Sequence, residues 1–271
     1  MPRSTPLSIP AVRGLSLLKP PARGPVVAPA AFAVLGLVCL LAPPAEPAAA
    51  AERTTIGHSL RGRPIVATLQ GDPSAPTRVL VIGCVHGDEA AGVRVARRLI
   101  AGAPARDAAI WVVPSLNPDG VAAGTRGNAR GVDLNRNFPF GWQPLSGLEY
   151  SGARALSEPE SRAAQRLILR LRPDLTIWFH QPFGLVDRSG GDPRVERRFA
   201  QLVGLPLVGL ERPPGSASSW QNRALPDSTA FVVELPALVS GRLVGRATDA
   251  VLTLASELGS PALDGADEAG A

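Results

Sequence analysis

The 271-residue chain is poor in aromatic side chains, which make up 4% of it, and it has a single tyrosine. No basic stripe with interleaved aromatics is present, so the pattern does not support a nucleic-acid-binding surface. Lysine is almost absent: of 28 lysine and arginine residues only Lys19 is lysine. With abundant alanine, glycine and proline, that bias reads as a GC-rich coding sequence and carries no functional message. There are two cysteines, Cys39 and Cys84. Cys39 lies in an N-terminal apolar run. If that run is removed, one thiol is left and no internal disulfide can form, so cysteine neither supports nor opposes export. The apolar run itself, residues 28–42, is 15 residues long, short of the roughly 20 that cross a bilayer as a helix.

What is present is enough for a core. Hydrophobic residues make up 45% of the chain, and the length allows one large domain or two small ones. Residues 1–27 are basic and proline-rich, 28–42 are apolar, and the following PPAEPAAAAE is built of small residues. That order matches a secretory signal peptide, with cleavage near Ala50, or else an uncleaved anchor. Val38, directly before Cys39, argues against a lipoprotein site. The expectation is an exported protein, found in the cell-wall space, the periplasm or outside the cell. Membrane association would come only through an uncleaved segment 1–50. This segment also carries +3 of the formal net charge of +5.

From residue 51 to 259 the pattern alternates strand-like and helix-like stretches, which predicts an α/β domain. Strands are expected at 63–69, 78–84, 108–113, 175–179 and 230–235. The second overlaps VLVIGCV (79–85), a continuous apolar run of the kind buried on both faces of a sheet. Helices are expected at 89–101, 157–171 and 243–258, the middle one with Ser157 as N-cap and Glu160 completing a capping box. Stretches 114–156 and 211–228 look irregular. The first is long for a compact domain and dense in specific polar residues, which marks it as functional. The small, acidic tail 260–271 is expected to be disordered.

Three histidines occur in the chain. His86 follows one buried strand and His180 ends another, and ligand sites of open α/β sheets form outside such strand ends. His86-Gly87-Asp88-Glu89 has H-x-x-E spacing, which lets imidazole and carboxylate face one point at the entry to a helix. These donor types suit zinc, whose catalytic sites keep three protein ligands and one open position. Alone, H-x-x-E reads as a helix start with an acidic first turn; the second strand-end histidine turns the balance toward a metal. Glu234 ends an apolar strand, where a carboxylate needs a partner or a task. Beside a metal it would serve as general base and then acid, and otherwise as half of an ion pair with an arginine. The loop RGNARGVDLNRNFP adds Arg126, Asn128, Asp133, Asn135 and Arg136. Arginine suits carboxylate recognition and oxyanion stabilisation, and Asp133 could orient a histidine ligand. Val132, Leu134 and Phe138 imply that the loop is anchored. His58 reads as a turn or surface residue and Cys84 as a core thiol.

Taken in order, HGDE, NPDG, RGNARGVDLNRNFP, WFHQP and ELP resemble the zinc carboxypeptidase superfamily, from about residue 55 to 258. The resemblance implies a mixed, mostly parallel sheet with helices on both faces and one Zn2+ per chain. It implies zinc ligands His86, Glu89 and His180, with Glu234 activating water. It further implies Arg126 on the scissile carbonyl, Asn135 and Arg136 on the substrate carboxylate, and Asp133 behind the first histidine. GVDLNRNFP followed by SGARALSEPE, and PPGSASSW before Glu234, are similar to the compact bacterial branch typified by murein peptide amidase A. This branch cleaves the γ-D-glutamyl–diaminopimelate bond of cell-wall peptides. The substrate implied is therefore a cell-wall peptide. The alternatives are an ordinary metallocarboxypeptidase, an acyl-amino-acid deacylase or a non-catalytic cell-wall binding module. The digestive enzymes place a mobile tyrosine before the catalytic glutamate, whereas the one tyrosine here is Tyr150; Ser216, Ser218 or Trp220 is expected in that space.

Overall fold

The computed structural model describes residues 52–258. The expected signal segment, Cys39 and the expected disordered tail lie outside the described residues. Eight strands form one sheet. They are β1 (Arg53–His58), β2 (Pro64–Gln70), β3 (Thr77–Ile82), β4 (Ala108–Val113), β5 (Leu175–His180), β6 (Leu185–Asp187), β7 (Leu207–Val208) and β8 (Thr229–Glu234). Their order is β1-β2-β4-β3-β5-β8-β6-β7. The central run β4-β3-β5-β8 is parallel, while β2 joins β4, β1 joins β2 and β6 joins β8 antiparallel. The mixed, mostly parallel sheet is thus present, with antiparallel edges.

The helices are α1 (Ala91–Ala101), α2 (Pro118–Ala123), α3 (Pro159–Leu171), α4 (Pro193–Val203), α5 (Ala217–Ala224) and α6 (Gly241–Glu257). Successive strand residues point to opposite faces, and the core divides accordingly. Val79, Val81, Ile177, Phe179, Phe231 and Val233 pack with α1, α4 and α6. Leu80, Ile82, Trp178 and Val232 pack on the other face with α3, α5 and Phe138 of the long loop. Phe138 is fully buried between Trp178 (ring centroids 6.1 Å apart) and Trp220 (5.3 Å). Each such buried large side chain contributes about 1.5–3 kcal/mol, so the loop expected to be anchored is held firmly.

Three local expectations are corrected. The capping box at 157–160 does not form. Glu158 is the N-cap, without a side-chain cap bond, and Glu160 is fully buried, accepting from the Leu60 amide and Asn128 Nδ2. Tertiary donors outcompete the local amide there. Stretch 211–228 contains α5, capped by Ser216, whose hydroxyl accepts from the Ser219 amide. Stretch 114–156 contains α2, with Asn117 as N-cap and Gly124 closing it in the left-handed conformation. The Asn-Pro-Asp-Gly motif is therefore a capped helix start with proline in its first turn. Asp119 of that motif accepts from the Arg61 amide and from Arg63.

Candidate active site

After β3 the chain runs through α1 on one face of the sheet, and it reaches β5 through α3 on the other. The ends of β3 and β5 therefore border the switch point of the sheet, where the crevice of an open α/β fold lies. The turn after β3 carries His86 and Glu89, and β5 ends on His180. Gly87 is required in that turn: a Cβ on it would come within 1.9 Å of the Gly120 backbone carbon of α2. The Asn-Pro-Asp-Gly helix thus packs directly against the His-Gly-Asp-Glu turn.

His86 Nδ1 lies 2.9 Å from Glu89 Oε1, His180 Nδ1 lies 3.0 Å from Glu89 Oε2, and the two Nδ1 atoms are 3.2 Å apart. All three side chains are buried or nearly so, and their donor atoms fall within 4.8 Å of one another. Burial drives His180 below the usual imidazole range against its bond to Glu89, and the charge of His86 adds to the effect. That direction favours the neutral imidazole, the form with a lone pair to offer. For Glu89, burial opposes ionisation, but the bonds to His180 and His86 prevail and hold its carboxyl well below the ordinary range. Two nitrogen donors and a carboxylate converging on one point fit a divalent cation of the zinc type.

The remaining nitrogen of His86 is fixed from behind. Its Nε2 lies 2.9 Å from Asp133 Oδ1, a carboxylate with no exposed surface. Burial would raise the Asp133 pKa, yet the His86 bond and the charges of His86 and Arg126 hold it well below the usual range. A carboxylate behind a ligating imidazole sets its tautomer and raises its basicity. Arg126 donates Nε and Nη2 to Asp133 Oδ2 (3.0 and 2.8 Å) and Nη1 to Glu89 Oε1 (3.0 Å). It lines the cleft but spends three of its five N–H groups on these two acids.

Glu234 ends β8 in register with His180. Val233 belongs to the core on the α1 face, so Glu234 points to the opposite side, as His180 does. Its Oε2 is buried without a hydrogen-bond partner among the described residues, and burial followed by the charge of Glu89 pushes its pKa up to about 7. The arginine ion pair that was the structural alternative for Glu234 is not formed among the described residues.

Asn135 and Arg136 lie in a short 3₁₀ turn, Leu134–Arg136. Asn135 Oδ1 accepts from the Ala217 amide at the start of α5. Arg136 donates Nη1 to Asn135 O and Nη2 to Glu149 Oε1 at 2.6 Å, while its Nε is buried without a partner among the described residues. The residue expected to hold a carboxylate holds one supplied by the chain itself. Sequence reasoning missed Glu149, which sits in a loop without periodicity. Ser216 and Ser218 line the cleft, whereas Trp220 is core. Asn128 lies outside the cleft, bonded to Glu158 and Glu160. His58 is exposed at the end of β1, and Cys84 is a buried thiol donating to His86 O. The cleft encloses about 770 Å³ and brings His86, Glu89, His180, Glu234, Arg126, Asn135 and Arg136 to one surface.

A sequence profile described as zinc carboxypeptidase matches residues 45–182. The chain belongs to the zinc carboxypeptidase family. It is a zinc metallopeptidase by that membership. The profile ends before Glu234, whose place comes from its register with His180. Murein peptide amidase A of Vibrio campbellii is 31% identical over 218 residues, covering 74% of this chain and 86% of the relative. The crystal structure of a murein-tripeptide amidase from Escherichia coli O157 superposes with a TM-score of 0.61 and 27% identity, covering 76% and 90% of the two chains. Carboxypeptidase A from Helicoverpa armigera reaches 0.66 at 20% identity, covering 81% of this chain and 70% of that one, and shares the fold.

Proposed function

We propose that this zinc carboxypeptidase relative is an exported amidase that hydrolyses the γ-D-glutamyl–diaminopimelate bond of peptidoglycan stem peptides. The observation that carries the reading is the pairing of two facts. The residues expected to hold a metal, activate water and stabilise the oxyanion line one cleft, and the aligned relatives named as murein peptide amidases are matched over nearly their whole length. Export is inferred from the basic, apolar, small-residue order of segment 1–50.

His86, Glu89 and His180 would hold zinc, which supplies Lewis acidity that lowers the pKa of water and polarises a carbonyl. Glu234 takes a proton from the attacking water and returns it to the departing nitrogen. Arg126, fixed by Asp133 and Glu89, places positive charge where the carbonyl oxygen becomes anionic. Asn135 and Arg136 hold a carboxylate on the leaving side, with Glu149 displaced from Arg136 when substrate enters.

The Arg136–Glu149 contact also suits a second reading, an ordinary metallocarboxypeptidase, because an arginine that holds a carboxylate side chain would suit the free carboxylate of a C-terminal residue. Turnover of γ-D-Glu-diaminopimelate peptides beside α-linked peptides of the same leaving residue separates the two. The amidase reading expects the γ-linked series to be preferred; preference for α-linked peptides rejects it. A purified protein that binds no stoichiometric zinc even after supplementation would instead point to a non-catalytic binding module.

A further inference from the structure

Three arginines line the cleft. Arg126 is engaged by Asp133 and Glu89, and Arg136 by Glu149. Arg212 differs: it makes no hydrogen bond or ion pair among the described residues. Its guanidinium lies beside Gly190. Gly190 has φ +88°, and a Cβ there would come 2.6 Å from Arg212 Nη1 and 2.8 Å from Cζ. The positive φ favours glycine at that position.

Asp187 borders the same end of the cleft. It closes β6 and is 8% exposed. Its oxygens accept from the Ser189 hydroxyl (2.7 Å) and the Leu210 amide (2.8 Å), and no cation pairs with it among the described residues. Leu185 is in register with Glu234, so Asp187 lies two residues along the sheet, about 7 Å from the level of Glu234. Val186 is buried in the α1-side core, which turns Asp187 toward the side that Glu234 faces. Glu196 of α4 braces the intervening turn by accepting from the Gly191 amide. Glu211, exposed beside Arg212, adds a second acid to this end.

An anion and a cation thus sit on the same two loops, Asp187 bonded to Leu210 and Arg212 beside Gly190, without pairing to each other. Asp187 is drawn from water with no cation beside it among the described residues, which is costly, while Arg212 carries its charge at the exposed rim of the cleft. A ligand carrying ammonium and carboxylate on one carbon satisfies both at once. We propose that Asp187 and Arg212 form a subsite for a zwitterionic amino-acid head group at the end of the leaving residue's side chain. The proposal deepens the amidase reading and rests on it: diaminopimelate, joined through one amino-acid end, presents a second at the far end of a short alkyl chain. Asp187 receives the ammonium and Arg212 the carboxylate.

The test compares kcat/KM for γ-D-Glu-linked meso-diaminopimelate, L-lysine and L-2-aminopimelate. Lysine lacks the second carboxylate and aminopimelate lacks the second ammonium. The wild type is expected to favour diaminopimelate over each by about ten- to hundredfold, the worth of a charged hydrogen bond. Arg212→Gln should erase the preference over lysine, and Asp187→Asn the preference over aminopimelate. Equal rates for diaminopimelate and lysine in the wild type would overturn the proposal and leave the amidase reading intact. So would a parallel loss on all three substrates in Arg212→Gln, an exposed position where folding is not at stake. If no γ-linked peptide is cleaved, the amidase reading fails by itself. The subsite is then decided on Ala-diaminopimelate against Ala-Lys with the same variants, and equal rates there reject it.

Discussion

Glu234 carries the heaviest chemical demand of any single residue here. Its Oε2 has no partner among the described residues and its pKa is raised to about 7 by burial and by Glu89, so it can exchange a proton near neutrality. Replacing it with glutamine keeps shape and removes that exchange. Glu234→Gln is expected to retain metal, measured by plasma mass spectrometry, while kcat falls by roughly 10²–10⁴. The sign of the pH effect follows from its role. The base must be ionised, so kcat/KM falls as pH drops through its pKa; a bound cation opposes the upward shift, which puts this limb at about 7 or below. The limb should be missing in Glu234→Gln, and an unchanged profile in the variant would assign it elsewhere. The three candidate ligands and Glu234 were legible in the sequence because strand ends and H-x-x-E spacing are local features. Glu149 and Arg212 were not, because charged residues in aperiodic loops look alike until the loops are placed.

Among the elements, the loop bearing Glu149 decides how Arg136 meets a ligand. Glu149 is half exposed, and such a pair is worth about 1 kcal/mol or less. Glu149→Ala should therefore lower KM for carboxylate-bearing substrates by a few-fold, with kcat unchanged; a raised KM would mean that Glu149 helps to bind substrate. Helix α4 offers a test of stability. Burial raises the pKa of Glu196, aided by the negative charge of Asp187 and opposed by backbone amides. A raised pKa means that the folded state binds the proton more tightly, so this contribution is full below the ordinary glutamate range and lost as pH rises through the folded value. Glu196→Gln should flatten this fall in urea-melt stability across mildly acidic pH, and an identical slope would place the dependence on another group. Helices α2 and α5 escaped sequence reading because each is a single capped turn or two with weak periodicity, bounded by glycine and proline.

On the scale of the whole molecule, a cation shared by two strand-end loops would tie the halves of the sheet together. A ligand bound only by the folded state stabilises it by about 2.7 kcal/mol at a free concentration of 100 Kd. Zinc is expected to raise the melting temperature and a chelator to lower it, read by calorimetry, and the response should vanish in His180→Ala. The sequence by itself determined the α/β alternation, the buried strands and the residue types near their ends, because side-chain period and strand termini are local properties of the chain. Tertiary structure alone decided which termini meet. Strand order brings β3, β5 and β8 side by side, so residues far apart in the chain converge on Glu89. Packing gave Glu160 tertiary partners in place of a helix cap, closed Glu149 onto Arg136, and left Asp187 and Arg212 without an ion-pair partner among the described residues at one end of the cleft. These outcomes depend on distances between loops, which no local pattern encodes.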